Sequence, residues 1–358
     1  MSIPLVDVKA QYEPLIDRLR ERFDEVLAGG QFIRGPHFYA FQEEAAAYLG
    51  VERTVAVANG TDALVLVLDA LEIGPGDEVI CPAFTFYATA ESIARRGAKP
   101  VFAEIDPSTL NLDPDDVERR ITDRTRALMP VHLFGRPAPI GELEAFGLPL
   151  VEDAAQAFGA PGIAKSVAST FSFFPTKNLF CLGDGGLVAV NDDELGERVQ
   201  MLAFHGSRDK TDFQFVGYNS RLDELQAAFL RVFLEQLDGW TRGRREAAAR
   251  YAELGLGELV ELPPDAPGHV YHLFVCRSPD RDRIVAALRE AEVGTATYYT
   301  TPLHLQPALR YLGWEPGSLP ETERMAAENF SVPLWPGMPV EAQERVVDTV
   351  RSAVGVPV

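Results

Sequence analysis

From Arg53 to Asn191 the chain alternates short β-branched runs with stretches of helical length, and this alternation restricts the fold more than any other feature. TVAVAN (54–59) predicts a strand and TDALVLVLDAL (61–71) a helix. DEVICP (77–82) predicts a second strand, ATAESIARRG (88–97) a helix and KPVFAEID (99–106) a third strand. RALMPVHLF (126–134), LPLVED (148–153), SVASTFSFF (166–174) and GLVAVN (186–191) continue the series. Strands alternating with helices imply a mainly parallel sheet covered on both faces, so the expected class is α/β.

The pattern changes after Leu222. DELQAAFLRVFLEQLDGWTRGRREAAARYAEL reads as one or two long amphipathic helices that connect two units. Past the ELPPDAPG turn cluster (261–268) comes a smaller α+β unit: strand HVYHLFVCR, helix DRDRIVAALREAEVG and a last helix from Val340. A chain of 358 residues is long enough for two domains. The division is a large domain over 1–240 and a small one over 241–358. The N-terminal helix near Tyr12–Ala28 is a candidate to pack with the small domain.

Acidic residues outnumber basic ones by 53 to 33, a net charge of −20, which argues against nucleic-acid or anionic-membrane partners. Cys81, Cys181 and Cys276 form no CxxC, as in a reducing compartment without disulfides or structural zinc. The opening MSIPLVDVKAQYEPL lacks a basic segment followed by an apolar one, so no signal peptide is expected. No stretch approaches the ~20 apolar residues of a membrane span. A cytoplasmic location is expected, which makes the sequons at Asn59 and Asn329 coincidental. His269 and His272, three apart in the expected strand, would face opposite sides and make no metal pair. Nothing calls for a metal, and no GxGxxG follows a strand.

Three loops at strand ends can carry chemistry, because ligands of α/β folds gather at the carboxyl ends of strands. In AVANGTDAL (56–64) a strand ends, Gly60 permits a tight turn, and a helix starts at Thr61 or Asp62. The free amides suit a phosphate; ordinary capping by Asn59 or Thr61 is the other reading. In LPLVEDAAQAFGA (148–160), Glu152 and Asp153 end an apolar strand. One carboxylate there either holds a cofactor's ring nitrogen protonated or caps a helix. In TFSFFPTKNLFCLGDGGLV (170–188), Lys177 sits among Phe173, Phe174, Leu179 and Phe180, ahead of a Gly-rich turn. Desolvation would lower its pKa and free a nucleophilic amine; an exposed loop lysine is the alternative.

Taken in order, these elements resemble the DegT/DnrJ/EryC1/StrS family of sugar aminotransferases dependent on pyridoxal phosphate. The resemblance runs from GGQFIRGPHFYAFQEEAAAYLG (29–50) and VANGTDAL through GDEVICPAFTFYATAESI, VHLFGRPAPI, VEDAAQAFGA and FSFFPTKNLFCLGDGG. It continues in GYNSRLDELQAAFL (217–230) and YYTTPLHLQPAL (298–309), and ends in SVPLWPGM. It implies a fold-type-I, aspartate-aminotransferase-like transferase with a large α/β/α domain, a mainly parallel mixed sheet and a smaller α+β C-terminal domain.

By this resemblance Lys177 matches the lysine that carries pyridoxal phosphate, which alternates with its pyridoxamine form, and later moves the proton. Asp153 matches the partner of the pyridine nitrogen, Gln156 the residue on the ring hydroxyl, and Phe86 the aromatic wall. Gly60, Thr61, Asp62 and Ser172 match the phosphate cradle. Asn219 matches a residue supplied to that phosphate by the other subunit, which implies a homodimer with shared active sites. His205 and His304 resemble substrate-side positions, and Arg34, Arg208, Lys210 and Arg221, in loop or helix-start segments near the matched motifs, are candidates for a sugar diphosphate, Arg34 and Arg221 being counted with the two histidines as substrate residues. The implied substrates are an amino-acid donor, with glutamate expected, and a dTDP- or UDP-linked 3-keto or 4-keto deoxysugar. PLHLQPAL leans toward amination at C3.

Two departures stand out. The family's GEGG is GDGG here, with Asp184 keeping the charge on a shorter arm, and Thr300 and Thr301 stand where relatives often carry proline. A related dehydratase would have histidine in place of Lys177, and a non-catalytic regulator would have lost Lys177, Asp153 or the phosphate residues.

Overall fold

The computed structural model describes residues 2–355. Seven strands make its central sheet: β1 (Arg53–Val57), β2 (Glu78–Pro82), β3 (Lys99–Ala103), β4 (Thr125–Leu128), β5 (Val151–Asp153), β6 (Ala168–Ser172) and β7 (Gly186–Val190). They pair in the orders β1-β7-β6-β5 and β3-β2-β4. Parallel bridges Leu128↔Leu150 and Val131↔Asp153 join the two groups between β4 and β5. All pairings are parallel except those of β7, which runs against both β1 and β6. Parallel neighbours need a crossover, usually a helix. The 173–185 link between β6 and β7 holds no helix, so β7 returns antiparallel and the sheet is mixed.

Side chains alternate across this sheet as the strand period requires. Val55, Val57, Val188 and Val190 pack with Leu64, Val67, Ile93, Val199 and Leu202, from helices Gly60–Ala70, Ala88–Arg95 and Asp193–Ala203. Ala56, Leu187, Ala189 and Phe171 face the other way, toward Phe41, Leu230 and Phe233 on helices Pro36–Leu49 and Glu224–Leu234. Every helix but one of this set follows or precedes a strand by a short loop, which keeps the loops at the sheet's two edges.

A second core surrounds the antiparallel pair β8 (Phe274–Arg277) and β9 (Asn329–Val332). It gathers Tyr251, Phe274, Ile284, Leu288, Phe330, Val346 and Val350. The expected connector is two helices, Glu224–Leu234 and Leu237–Glu253. The N-terminal helix Ile16–Gly29 lies against Glu224–Leu234, with Leu19 in the core of Phe38 and Phe41. Only the residues ahead of it turn to the second core, where Ile3 bridges Val293. The helix follows its apolar stripe, and the nearest complementary face belongs to the sheet's helices.

Two strands are shorter than their apolar runs. β4 stops at Leu128; Pro130 follows, and the chain turns over Leu133–Gly135 with Phe134 in a left-handed conformation (φ 55°). HVYHL is not a strand: Tyr271 is left-handed (φ 45°), and Val270 and His272 donate to the carbonyls of Gly135 and Phe134. The opposite-faces argument for His269 and His272 therefore does not apply, and both are buried. No cluster suited to a metal ion exists among the described residues.

Candidate functional site

The loops singled out by sequence meet at the carboxyl edge of the parallel strands. At the end of β5, alternation separates the two neighbouring carboxylates. Glu152 is fully buried and accepts from His132 Nε2 at 2.7 Å and from the amides of Ala164, Lys165 and Ser166. Burial alone would raise its pKa, but His132 and the hydrogen bonds from Ser166 hold it at about 2. Asp153 turns the other way, accepting from Thr89 Oγ1 at 2.8 Å and the Ala155 amide at 3.2 Å. Burial pushes its pKa up, opposed by Thr89, Ala155, Lys177 and His132. Of the two, Asp153 is the one that shares an electrostatic environment with Lys177.

Lys177 follows β6 in a loop whose Phe173, Leu179 and Phe180 are buried, while Phe174 is exposed. Its tip keeps some access to solvent, yet protein crowds it closely enough that desolvation lowers its pKa to about 8, with Asp153 pulling the other way. The apolar setting and the nearby carboxylate are thus both present. His272, to which the sequence assigned no role, joins them. Burial first, then the positive charges of Lys177 and Arg244, hold its imidazole well below the usual pKa.

At the end of β1, Asn59 caps the helix Gly60–Ala70, accepting the Asp62 amide at 2.8 Å. The helix begins one residue earlier than its pattern suggests, because Gly60 already has helical geometry. Capping consumes one amide; those of Gly60 and Thr61 have no acceptor among the described residues. Thr61 and Ser172 are both partly exposed beside them. A Cβ at Gly60 would come within 2.7 Å of the Ser172 Cβ, so this glycine is what lets the helix start against β6. Gly186 plays the matching part from β7: a side chain there would overlap the Asn59 carbonyl. Two free amides and two hydroxyls at a helix N-terminus suit a phosphate group.

Phe86, just past β2, is 57% exposed. Its ring stands 6.2 Å from that of Tyr299. Gln156 accepts from the Phe134 amide at 2.7 Å and donates from Nε2 to Tyr299 Oη at 3.2 Å. An amide nitrogen carries two protons, so one donor stays available to a ring hydroxyl. Tyr299 is a site residue that sequence reasoning passed over. Its signal was present in YYTTPLHLQ, but only folding brings it across 143 residues to Gln156.

The proposed substrate residues separate into two groups. Arg34, Lys210 and Arg221 converge on one ring, Phe204, at 4.3, 4.8 and 5.6 Å from its centroid. None of the three makes an ion pair among the described residues. His205 adjoins the same ring. Phe204 bridges Asn219, and the next residue, Ser220, donates to Asp62 at 2.7 Å, so this cluster borders the 59–62 turn. The Asn219 side chain is exposed. Arg208, by contrast, pairs with Glu197 at 2.8 Å. His304 is 1% exposed and bonded to Glu323 at 3.1 Å. It is packed against Trp314 instead of lining the crevice, because the Leu303–Leu305 turn carries it into the core.

A family model described as the DegT/DnrJ/EryC1/StrS aminotransferase family matches residues 15–351. The chain belongs to this family. It is 45% identical to a pleiotropic regulatory protein of Geobacillus stearothermophilus, over 98% of each chain. It is 44% identical to a dTDP-3-amino-3,4,6-trideoxy-α-D-glucose transaminase of Streptomyces venezuelae, covering 98% of this chain and 96% of that one. The crystal structure of S. venezuelae DesV superposes with a TM-score of 0.96 at 42% identity, over the whole of both chains. The α/β architecture with its mixed sheet is that of the family's solved members, and the expectation of an aminotransferase is met.

Proposed function

We propose that the protein is a pyridoxal-phosphate-dependent aminotransferase that carries an amino group from an amino acid, with glutamate expected, to the 3-keto position of a dTDP- or UDP-linked deoxysugar. The observation that carries this reading is Lys177 at the carboxyl edge of the sheet, an amine whose pKa burial draws down to about 8 against the opposing pull of the nearby Asp153 carboxylate. The same edge offers the free amides of Gly60 and Thr61 beside the Thr61 and Ser172 hydroxyls, a place for the cofactor's phosphate.

Bound at this edge, the cofactor supplies an electron-accepting ring that stabilises negative charge on the donor's α-carbon. The chain's own residues do the rest. The neutral Lys177 amine would take the donor's α-proton at Nζ and pass it to the cofactor in the first half-reaction, and would carry a proton from the cofactor to the sugar carbon in the second. Asp153 holds the proton of the ring nitrogen, Gln156 donates to the ring hydroxyl, and Phe86 offers its exposed face to the ring. Gly60, Thr61, Asp62 and Ser172 hold the phosphate.

The unpaired cations around Phe204 take the sugar's diphosphate. In a chain with a net charge of −20, three cations gathered on one ring with no ion pair among the described residues make a local positive site for an anion. C3 is favoured because the S. venezuelae relative is named for a 3-amino sugar.

A homodimer completes the site, with Asn219 reaching the partner's phosphate. Support comes from exposed apolar side chains on the loops that carry Arg34, Lys177 and Lys210. They are Phe32, Ile33, Phe174, Leu182, Phe213 and Val216, the last 97% exposed. A cytoplasmic location fits the observation that no helix of the described residues is long and apolar enough to cross a membrane.

The test is to reduce the protein with borohydride in the presence of cofactor and map the adduct. It is then assayed with glutamate and a panel of dTDP- and UDP-linked 3-keto and 4-keto sugars. Label on Lys177 and turnover of a 3-keto sugar are expected. Label on another lysine removes the proposal. Failure of glutamate to aminate the cofactor instead favours a regulator like the G. stearothermophilus relative's name.

A further inference from the structure

Glu224 is buried, and no cation is paired with it among the described residues. Its carboxylate instead reaches the N-terminus of helix Pro36–Leu49. Oε1 accepts from the His37 amide at 2.6 Å and Oε2 from the Phe38 amide at 3.0 Å. Room for it exists only because residue 35 is glycine: a Cβ there would stand 2.5 Å from Glu224 Cδ and within 2.8 Å of both oxygens. The backbone is tied at the same place. The Glu224 amide donates to the Phe32 carbonyl at 3.0 Å, and Ile33 bridges Asp223. Gln31 closes the loop by donating to the Arg34 carbonyl at 2.9 Å.

Everything in this arrangement bears on Arg34. It stands one residue before Gly35 with φ at 53°, a conformation that side-chain-bearing residues rarely adopt and that costs energy unless its surroundings enforce it. The enforced result is a guanidinium 4.3 Å from the centroid of Phe204, the ring on which Lys210 and Arg221 also converge. Arg221 lies three residues before Glu224, so the loop bearing one cation is latched to the helix start that follows the other.

We infer that Glu224, accommodated by Gly35, is a positioning residue for the nucleotide-sugar half of the reaction. It latches the 31–37 loop so that Arg34 completes the cation cluster around Phe204. The inference rests on the reading of that cluster as the diphosphate site. Glu224 touches neither the cofactor edge nor Lys177, so its influence is confined to acceptor binding.

The experiment uses the cofactor-loaded enzyme and the variants Glu224→Gln and Gly35→Ala. Glutamine keeps the shape but offers one acceptor to two amides, and sets its NH₂ group against the other. Alanine crowds the carboxylate from the opposite side. Three quantities are measured: calorimetric affinity for thymidine and uridine diphosphate, the rate at which glutamate converts the cofactor, and hydrogen exchange over 31–38. In both variants, affinity for the better of the two diphosphates is expected to fall about tenfold and its salt dependence to flatten. KM for the keto-sugar rises with it, the glutamate half-reaction stays within about twofold, and exchange over 31–38 quickens.

Quicker exchange with unchanged diphosphate affinity overturns the inference, since the latch would then exist without positioning Arg34. A parallel loss of both half-reactions that tracks melting temperature also overturns it, as a merely structural role would. If the unsubstituted enzyme converts the cofactor with glutamate but binds neither diphosphate, the reading of the Phe204 cluster fails, and the inference with it, whatever the exchange data show.

Discussion

Replacing Lys177 by methionine should abolish turnover and, below pH 8, make the cofactor-free protein more stable. Both side chains are unbranched and of similar length, so the substitution chiefly removes a charge. The Lys177 pKa falls from 10.5 to about 8 on folding, through burial. At ~1.4 kcal/mol per unit this corresponds to about 3 kcal/mol, and access of the tip to solvent reduces it to about 2–3 kcal/mol. The sign follows from proton counting. Below pH 8 the amine is charged in both states, and the native protein carries the whole desolvation cost. Between pH 8 and 10.5 the unfolded chain holds a proton that the native protein has released, so native stability rises with pH. Above 10.5 the amine is neutral in both states and the cost is gone. Guanidinium unfolding of both proteins from pH 7 to 10.5 should therefore show the methionine variant ahead by about 2–3 kcal/mol at pH 7, with the gap closing through the alkaline range. Other alkaline titrations are common to both proteins and cancel in the difference. A gap that does not change with pH, or a methionine variant less stable at pH 7, refutes the assignment of a desolvated amine.

The same amine can be read directly. Competitive labelling of the chain's five lysines in cofactor-free protein should place Lys177 at a midpoint near 8. The Asp153→Asn variant should titrate lower, because that carboxylate favours the ammonium form; a midpoint near that of a free lysine would count against the site. Gly186→Ala drives a methyl into the Asn59 carbonyl. It should cost about 1–3 kcal/mol in unfolding and weaken retention of pyridoxal phosphate in equilibrium dialysis. Mixed dimers of Lys177→Ala and Asn219→Ala subunits should recover about one intact site per dimer. If they recover no activity above the parents, Asn219 does not act across the interface.

Much of the fold was legible because its signals are local. The period-2 runs of β1, β2, β6 and β7, and the helices between them, are written within windows of five to twelve residues. Pro130 follows a strand that stops short of its apolar run, and the left-handed Tyr271 precedes one that starts late in its own. In both places backbone geometry overrode hydrophobicity, and the signal was a proline in one case and absent in the other. Residues at strand ends were equally legible. Asn59, Asp153 and Lys177 each close a recognisable run, and the sheet carries all three to one edge.

The sequence by itself determined the strand-and-helix order, the loops that bear chemistry, and the family to which their ordered motifs belong. Tertiary structure alone decided how those residues act. It turned Asp153 toward the lysine and Glu152 toward His132, drew Arg34, Lys210 and Arg221 onto Phe204, and buried His304 against Glu323. The reason is physical. Secondary structure follows from patterns among near neighbours, whereas charge pairing, desolvation and pKa depend on distances in space between residues far apart in sequence, 187 positions in the case of Glu224 and His37.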